Sequence, residues 1–394
     1  MNLKIFIYNN LISLMQILFA GDVMLGRLVN KVLANAQFTY VWGNTIDIIK
    51  RADFSLINLE CAVSSNGKEW NKTFKVFHFR ANLDAIQVLN SASIDYVSLA
   101  NNHILDYDVE GLLDTLDILD KNNISHSGAG RNLKEAIKPA IIEKKLKPST
   151  SNNQNYYYNV DKKEVNNNND DNLKNTMRIG LISLTDNEPG WEAKDDFAGI
   201  NYIPITLEPD RYYYRLQNYI EKAKKHSDLV IVSSHVGPHF RETPSMKYVN
   251  FAHKIIDLGA DIYWGHSNHM PQGIELYKYN NNNKIILYDC GDFIDDYAID
   301  SNYRNDLSFI YLLHFFMDRN SKLSNINNGN NGNILLQNSM IELIPTKITN
   351  FMVNTIPVDD NDTDLIINRM AKRCSLLGTK YFIDDKEKRI KIFL

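Results

Sequence analysis

Ile17-Leu18-Phe19-Ala20-Gly21-Asp22 is a short apolar run that stops at a carboxylate, and the arrangement recurs along the chain. Leu56-Ile57-Asn58-Leu59 stops at Glu60, and Val97-Ser98-Leu99-Ala100-Asn101 stops at Asn102-His103. Val230-Ile231-Val232 runs toward His235, and Ile262-Tyr263-Trp264-Gly265 meets His266, with His269 close behind. Apolar runs of about four to eight residues have the length of buried strands. A polar side chain at the carboxyl end of such a strand points into the crevice where open α/β sheets bind ligands. The pattern predicts a layered α/β core with one shared site at its strand ends.

Between these runs the periodicity turns helical. Glu110 to Asn122 sets Leu112, Leu113, Leu116 and Leu119 on one face, directly after Asn102-His103. Pro209 opens a tyrosine-rich helical stretch to about His226, and Leu229 to Ser234 then forms a strand ending at His235. Val249 to Leu258 has helical spacing, Gly259 stops it, and Asp261 to Trp264 is the next strand. Repeated helix-then-strand units give a layered α/β architecture. Glu143 to Thr176 is dominated by Lys, Asn, Asp and Ser, and Asn-rich stretches recur at Asn280 to Asn283 and Asn325 to Asn333. Such composition lacks the apolar area to offset ordering entropy, which predicts flexible loop insertions. The expected organisation is one domain over 15–350, with an insertion at 143–176. An appendage over 351–394 packs on the same domain through a helix ending near Leu377-Gly378 and a strand at Ile390 to Leu394.

Composition narrows the partners. A formal charge of −4 leaves no basic surplus to neutralise a phosphate backbone, so nucleic acid is not expected as a partner. Cys61, Cys290 and Cys374 are far apart and form no Cys-x-x-Cys pair, which argues against a disulfide framework or a zinc-thiolate site and for a reducing compartment. The apolar start from Leu3 to Ile12 is interrupted by Asn9 and Asn10. A signal peptide needs an unbroken apolar core and a membrane span about twenty apolar residues, so neither is expected and a cytoplasmic location is.

The polar strand ends carry the chemistry. Asp22, Glu60, Asn102, His235, His266 and His269 are the carboxylate, amide and imidazole mixture that a hard or borderline divalent metal takes. One or two ions of the Mn, Fe or Zn class are the expected cofactor, and such ions acidify water toward neutrality. His103, beside Asn102, is placed to act as general acid with Asp106 orienting it. Arg27 and Arg80 carry guanidinium forks suited to an anionic substrate and equally to surface ion pairs. His78, His126, His226, His253 and His314 have no supporting pattern and read as surface or packed residues.

A set of motifs in one order adds to this. Gly21-Asp22-Val23-Met24-Leu25-Gly26-Arg27, Asn58-Leu59-Glu60, Ser98 to His103 with Asp106 and Gly111-Leu112, His235-Val236-Gly237, Gly265 to His269 followed by Gln272-Gly273-Ile274-Glu275, and Gly291-Asp292-Phe293 resemble the CapA family of capsule synthesis, associated with poly-γ-glutamate production. The resemblance runs from about Gln16 to Ile348, and more weakly to Gly378. That family is similar to the calcineurin-like metallophosphoesterases, which implies a four-layer α/β/β/α sandwich holding two metals at strand ends. By the resemblance Asp22 matches the first aspartate, Glu60 the bridging carboxylate, Asn102 the amide ligand, His103 the general acid, and His235, His266 and His269 the later ligands.

The departures bear on chemistry. Met24 stands where the metallophosphoesterases have a histidine ligand, and a thioether serves a hard cation poorly, leaving one metal position a ligand short. Val236 replaces a common tryptophan, and His239 falls where many relatives have an acidic residue, a change that bears on substrate binding. The expectation is a metal-dependent hydrolase acting on a phosphoester or an amide-linked small-molecule or polymeric anion. The alternative is a non-enzymatic accessory protein holding an anionic polymer in the same crevice.

Overall fold

Successive side chains on a strand point to opposite faces, so a strand apolar on both faces must be covered on both. Strand Leu11–Val23 meets that condition, with Ile17 and Phe19 in one buried cluster and Leu18 and Ala20 in another. A computed structural model describes residues 11–145, 176–206, 209–318, 336 and 339–394, and in it two sheets stack face to face. The larger runs Phe382–Asp384, Arg389–Phe393, Met340–Thr349, Leu307–Asp318, Leu11–Val23, Phe54–Leu59, Tyr96–Ser98, Ser125–Ser127. Its half from Leu11–Val23 onward is parallel and its other half antiparallel, with Asp292–Ile294 alongside the end of Leu11–Val23. The smaller runs Ile274–Tyr279, Asn282–Leu287, Ile262–His266, Leu229–His235, Thr176–Thr185, Ala140–Lys145.

Alternation along the strands assigns every layer. Ile17, Phe19, Phe54 and Leu56 of the larger sheet meet Leu229, Ile231, Ile262 and Trp264 of the smaller between the two. The opposite face of the larger sheet, through Leu18 and Ile57, packs on helix Asp108–Lys121 by Leu112, Leu116 and Leu119. The opposite face of the smaller, through Val230 and Val232, packs on Arg211–His226 and Met246–Asp257 by Ile220 and Ile255. The result is the expected four-layer α/β/β/α sandwich. Helix Arg211–His226 starts where Asp210 accepts hydrogen bonds from the Tyr212 and Tyr213 N–H groups, a cap worth about 1 kcal/mol.

Two expectations about loops are corrected. Asn280 to Asn283 is not an insertion: Asn280 and Asn281 take left-handed φ of 48° and 63°, and Tyr279 pairs with Asn282 across a two-residue hairpin turn. Asparagine tolerates that conformation at low cost, so the same composition that signals disorder here closes a hairpin. The proposed 143–176 insertion begins and ends inside strands, because Ala140–Lys145 pairs with Thr176–Thr185 as far as Lys145 opposite Thr176. Glu143, Lys144 and Lys145 fit there because an edge strand carries charge on its open side. Residues 146–175, the Asn325 to Asn333 stretch and the first ten residues lie outside the described ones.

In the C-terminal segment, helix Asn361–Leu376 places Ile366, Ile367, Met370 and Cys374 in the cluster between the sheets. Strand Arg389–Phe393 hydrogen-bonds directly to Met340–Thr349. Among the described residues no helix is long and apolar enough to cross a membrane.

Candidate metal centre

Pairing brings the polar strand ends together. Asp22 lies beside Asp292 in the larger sheet, and His235 beside His266 in the smaller. Gly21 permits the first pairing: a Cβ there would sit 1.6 Å from the Gly291 carbonyl oxygen, which instead accepts the Asp22 N–H at 2.9 Å.

The donor atoms converge in two groups that share Asp22, one with His235 and His266, the other with Glu60, His269 and Asp292. Asp22 Oδ1 is 3.9 Å from His235 Nδ1 and 3.7 Å from His266 Nδ1, and Asp22 Oδ2 is 3.7 Å from His269 Nδ1. The His235 and His266 Nδ1 atoms are 2.8 Å apart. Glu60 Oε1 lies 3.6 Å from His235 Nε2, and Asn102 Oδ1 lies 2.9 Å from the same nitrogen. Glu60 thus stands by both groups.

Surrounding polar groups orient these donors. Asn58 Nδ2 donates to Asp22 Oδ1 at 2.7 Å and the Ser267 N–H to Asp22 Oδ2 at 3.2 Å. Ser233 Oγ is 2.7 Å from His266 Nε2, which turns Nδ1 of that ring into the cluster. His269 has φ of 61°, a costly conformation for a non-glycine residue. Asp289 holds the turn by accepting the Asn268 and Gly291 N–H groups, each at 2.8 Å.

The cluster is buried and short of positive charge. Neither oxygen of Glu60 nor Oδ2 of Asp292 has a hydrogen-bond partner, although both side chains are shut away from solvent. Burial drives the carboxyls of Asp22, Glu60 and Asp292 well above the usual range, and neighbouring carboxylates add to it: Asp289 for Asp22, Asp22 for Glu60, Asp295 for Asp292. Burial pushes the imidazoles of His235 and His269 well down and that of His266 down to about 3. Neutral imidazoles and crowded carboxyl groups are what a divalent cation requires, so the residues fit such an ion.

Beside the cluster, His103 Nδ1 is 2.6 Å from Asp106 Oδ2, and Phe79 stacks on the His103 ring with centroids 3.8 Å apart. The Phe79 N–H donates to the same Asp106 oxygen at 2.7 Å. Lys75 Nζ lies 3.3 Å from Asp106 Oδ1 and donates to the Asn102 carbonyl. Burial, then the Lys75 charge, holds His103 well below the ordinary histidine range. Burial raises Asp106 to about 7 despite Lys75.

The other predicted residues divide. His239 flanks the cluster, its ring stacked on His269 at 4.6 Å and its Nδ1 3.0 Å from the Ser267 carbonyl. Arg27 is at the rim, its guanidinium 5.4 Å from the Phe77 and Phe79 rings and its Nε 3.3 Å from Asp296. Arg80 is drawn elsewhere: its guanidinium covers the Tyr107 ring at 3.9 Å, and its Nη1 faces the Asn66 and Gly67 carbonyls. Met24 packs in the apolar cluster on the helix side of the larger sheet, its sulfur accepting the Gly26 N–H at 3.0 Å. Sequence reasoning assigned no role to Asp292, Lys75, Asn58 or Phe79. The only sequence signal at Asp292 is the motif Gly291-Asp292-Phe293, because Asp289 separates it from the apolar run Ile285 to Tyr288.

The family model for the bacterial capsule synthesis protein PGA_cap matches residues 16–297. PGA biosynthesis protein CapA of Bacillus subtilis is 28% identical over 279 residues, 71% of this chain and 62% of that protein. A Mycobacterium tuberculosis protein named "Probable polyglutamine synthesis accessory protein" is 26% identical over 336 residues, 75% of this chain and 79% of its own length. Among solved structures, a calcineurin-like phosphoesterase from Bacillus subtilis aligns over 93% of this chain and 99% of its own, with TM-score 0.39 and 10% identity. That likeness adds nothing to the layer order read from the strands.

Proposed function

This chain belongs to the bacterial capsule synthesis protein PGA_cap family, and from that membership we propose that it is a metal-dependent hydrolase of a phosphoester or amide bond in an anionic substrate. The observation that carries the reading is Glu60: a fully buried carboxylate with neither oxygen hydrogen-bonded, set among imidazole and carboxylate donors. A group left unsatisfied in that way costs several kcal/mol unless a cation compensates it.

Asp22, Glu60, Asn102, His235, His266 and His269 would hold the metal, with Asp292 beside them. Such an ion supplies Lewis-acid polarisation of a phosphoryl or carbonyl oxygen and acidifies water. The remaining work falls to side chains of this chain. Asp106 occupies His103 Nδ1, so Nε2 is the atom that takes up or returns a proton, and stacking on Phe79 fixes the ring. Arg27 at the rim meets the negative charge of an arriving substrate, and the His239 ring bounds the pocket beside His269. The relatives' names, PGA biosynthesis and polyglutamine synthesis accessory protein, support a polymeric anion as the substrate class. Because the chain spans 62% of the length of the Bacillus subtilis relative, its place beside such a polymer is part of the proposal.

The test is elemental analysis of the purified protein with a screen of phosphoesters and γ-glutamyl polymers, repeated on Glu60→Gln and His235→Ala. Both variants should lose bound metal, and turnover should fall by about a hundred- to a thousandfold, the scale of removing an electrostatic stabiliser of the reaction. Unchanged metal content and turnover in His235→Ala would overturn the reading. Tight binding of a γ-glutamyl polymer with no cleavage, unaffected by chelation, would make the chain an accessory binder instead.

A further inference from the structure

The two donor groups differ in chemistry. The group of His235 and His266 is imidazole-rich, with the Asn102 oxygen against His235 Nε2. The group of Glu60, His269 and Asp292 with the shared Asp22 holds three carboxylates and a single imidazole. Imidazole suits zinc and iron, whereas carboxylate oxygens suit the harder manganese and magnesium ions.

Three observations place Asp292 in the second group as more than a neighbour. Its backbone pairs with that of Asp22 in adjacent parallel strands, which sets the two carboxylates on the same end of the sheet. Its Oδ2 is buried with no N–H or hydroxyl donor, like both oxygens of Glu60 across the same group, and the Asp295 carboxyl beside it adds negative charge rather than compensating it. The Met24 sulfur is committed to the Gly26 N–H within an apolar cluster, so position 24 supplies no donor.

We propose that Asp292 provides the ligand that Met24 cannot, completing a second, oxygen-rich site that takes a hard divalent cation of the Mn2+ or Mg2+ class. The protein then carries a mixed pair, with a zinc- or iron-class ion on the histidine side. This rests on the metal-centre reading above and adds the number and kinds of ion. The competing role for Asp292 is positional: its Oδ1 is 2.8 Å from His269 Nδ1, the contact by which a carboxylate orients a metal-binding histidine.

The experiment loads chelator-stripped protein with one equivalent of Zn2+, titrates Mn2+, and reads bound Mn2+ by electron paramagnetic resonance and both elements by mass spectrometry. Wild type should retain one Zn2+ and bind one Mn2+. Asp292→Ala and Asp292→Asn should keep the Zn2+ and weaken Mn2+ by more than about a hundredfold, beyond the loss expected from an orienting residue. His266→Ala should lose Zn2+ selectively. Asp292→Asn keeps the size of the side chain and an oxygen for His269, so a melting temperature matching wild type guards against misfolding. Wild-type Mn2+ affinity in Asp292→Asn would overturn the proposal and leave Asp292 as a positioning residue. Wild-type protein that binds a single ion would also overturn it while leaving the hydrolase reading intact, whereas protein that binds no metal would remove both.

Discussion

At the residue scale, the site works by denying its groups the partners they would find in water. Neither oxygen of Glu60 has a hydrogen-bond partner, and burial pushes the three imidazoles of the cluster toward the neutral form, the state in which a cation would find them. Lys75 does the opposite for the His103–Asp106 pair. Its side chain is only 7% exposed, and its charge opposes a proton on His103 while favouring ionised Asp106. Lys75→Met removes that bias, and both groups should then titrate at higher pH. The acid limb of the pH–rate profile for whichever substrate is turned over should move up with it, while metal content stays at the wild-type level. An unmoved profile would show that Lys75 only anchors its loop to the Asn102 carbonyl. Little of this was readable beforehand, because Lys75 lies in a stretch without periodicity and its partners come from other segments.

At the element scale, strand ends become a site through close backbone approach. Gly21 and Gly291 let the first strand and Asp292–Ile294 run side by side, and the shared register sets Asp22 next to Asp292. A methyl group at Gly21 meets the Gly291 carbonyl, so Gly21→Ala must push the strands apart. We expect a loss of about 1–3 kcal/mol in urea unfolding, as for other overpacked sites, together with weaker Mn2+ binding. Gly190→Ala is the control, since nothing lies within 4 Å of a Cβ there. Equal stability of the two variants would contradict this account of the pairing. The same scale accounts for the contacts of Arg80. Its position depends on a two-residue pairing of Arg80–Ala81 with Ala62–Val63, too short to leave a periodic trace, and that pairing delivers it to Tyr107.

At the scale of the whole molecule, the sandwich is held by the apolar layer between the sheets and tied down at the C-terminal helix. Arg304 grips Asp362 through two hydrogen bonds of 2.7 and 2.8 Å, and Lys347 reaches the same carboxylate at 2.6 Å, linking helix Asn361–Leu376 to the larger sheet. Arg304 holds the Asp362 carboxyl well below its usual range. A depressed acid stabilises the fold above its unfolded value, about pH 4, and that contribution fades as the pH falls toward the folded value. Asp362→Asn should therefore cost about 1–2 kcal/mol at pH 7, and the gap from wild type should narrow in urea titrations taken toward pH 2. A gap that does not change with pH would place the effect in packing rather than charge. A layered α/β core and most of the strand-end polar residues were legible in the chain itself, because short apolar runs alternate with helical spacing and stop at polar residues in readable positions, whereas the α/β/β/α order was implied only by the family resemblance. The loss of position 24 as a ligand was equally legible, since Met24 offers only a thioether, but the composition of each donor group was decided only by tertiary structure. Asp292 reaches Asp22 through a pairing between segments far apart in sequence, and no local pattern encodes which oxygen is left without a partner once the two sheets close.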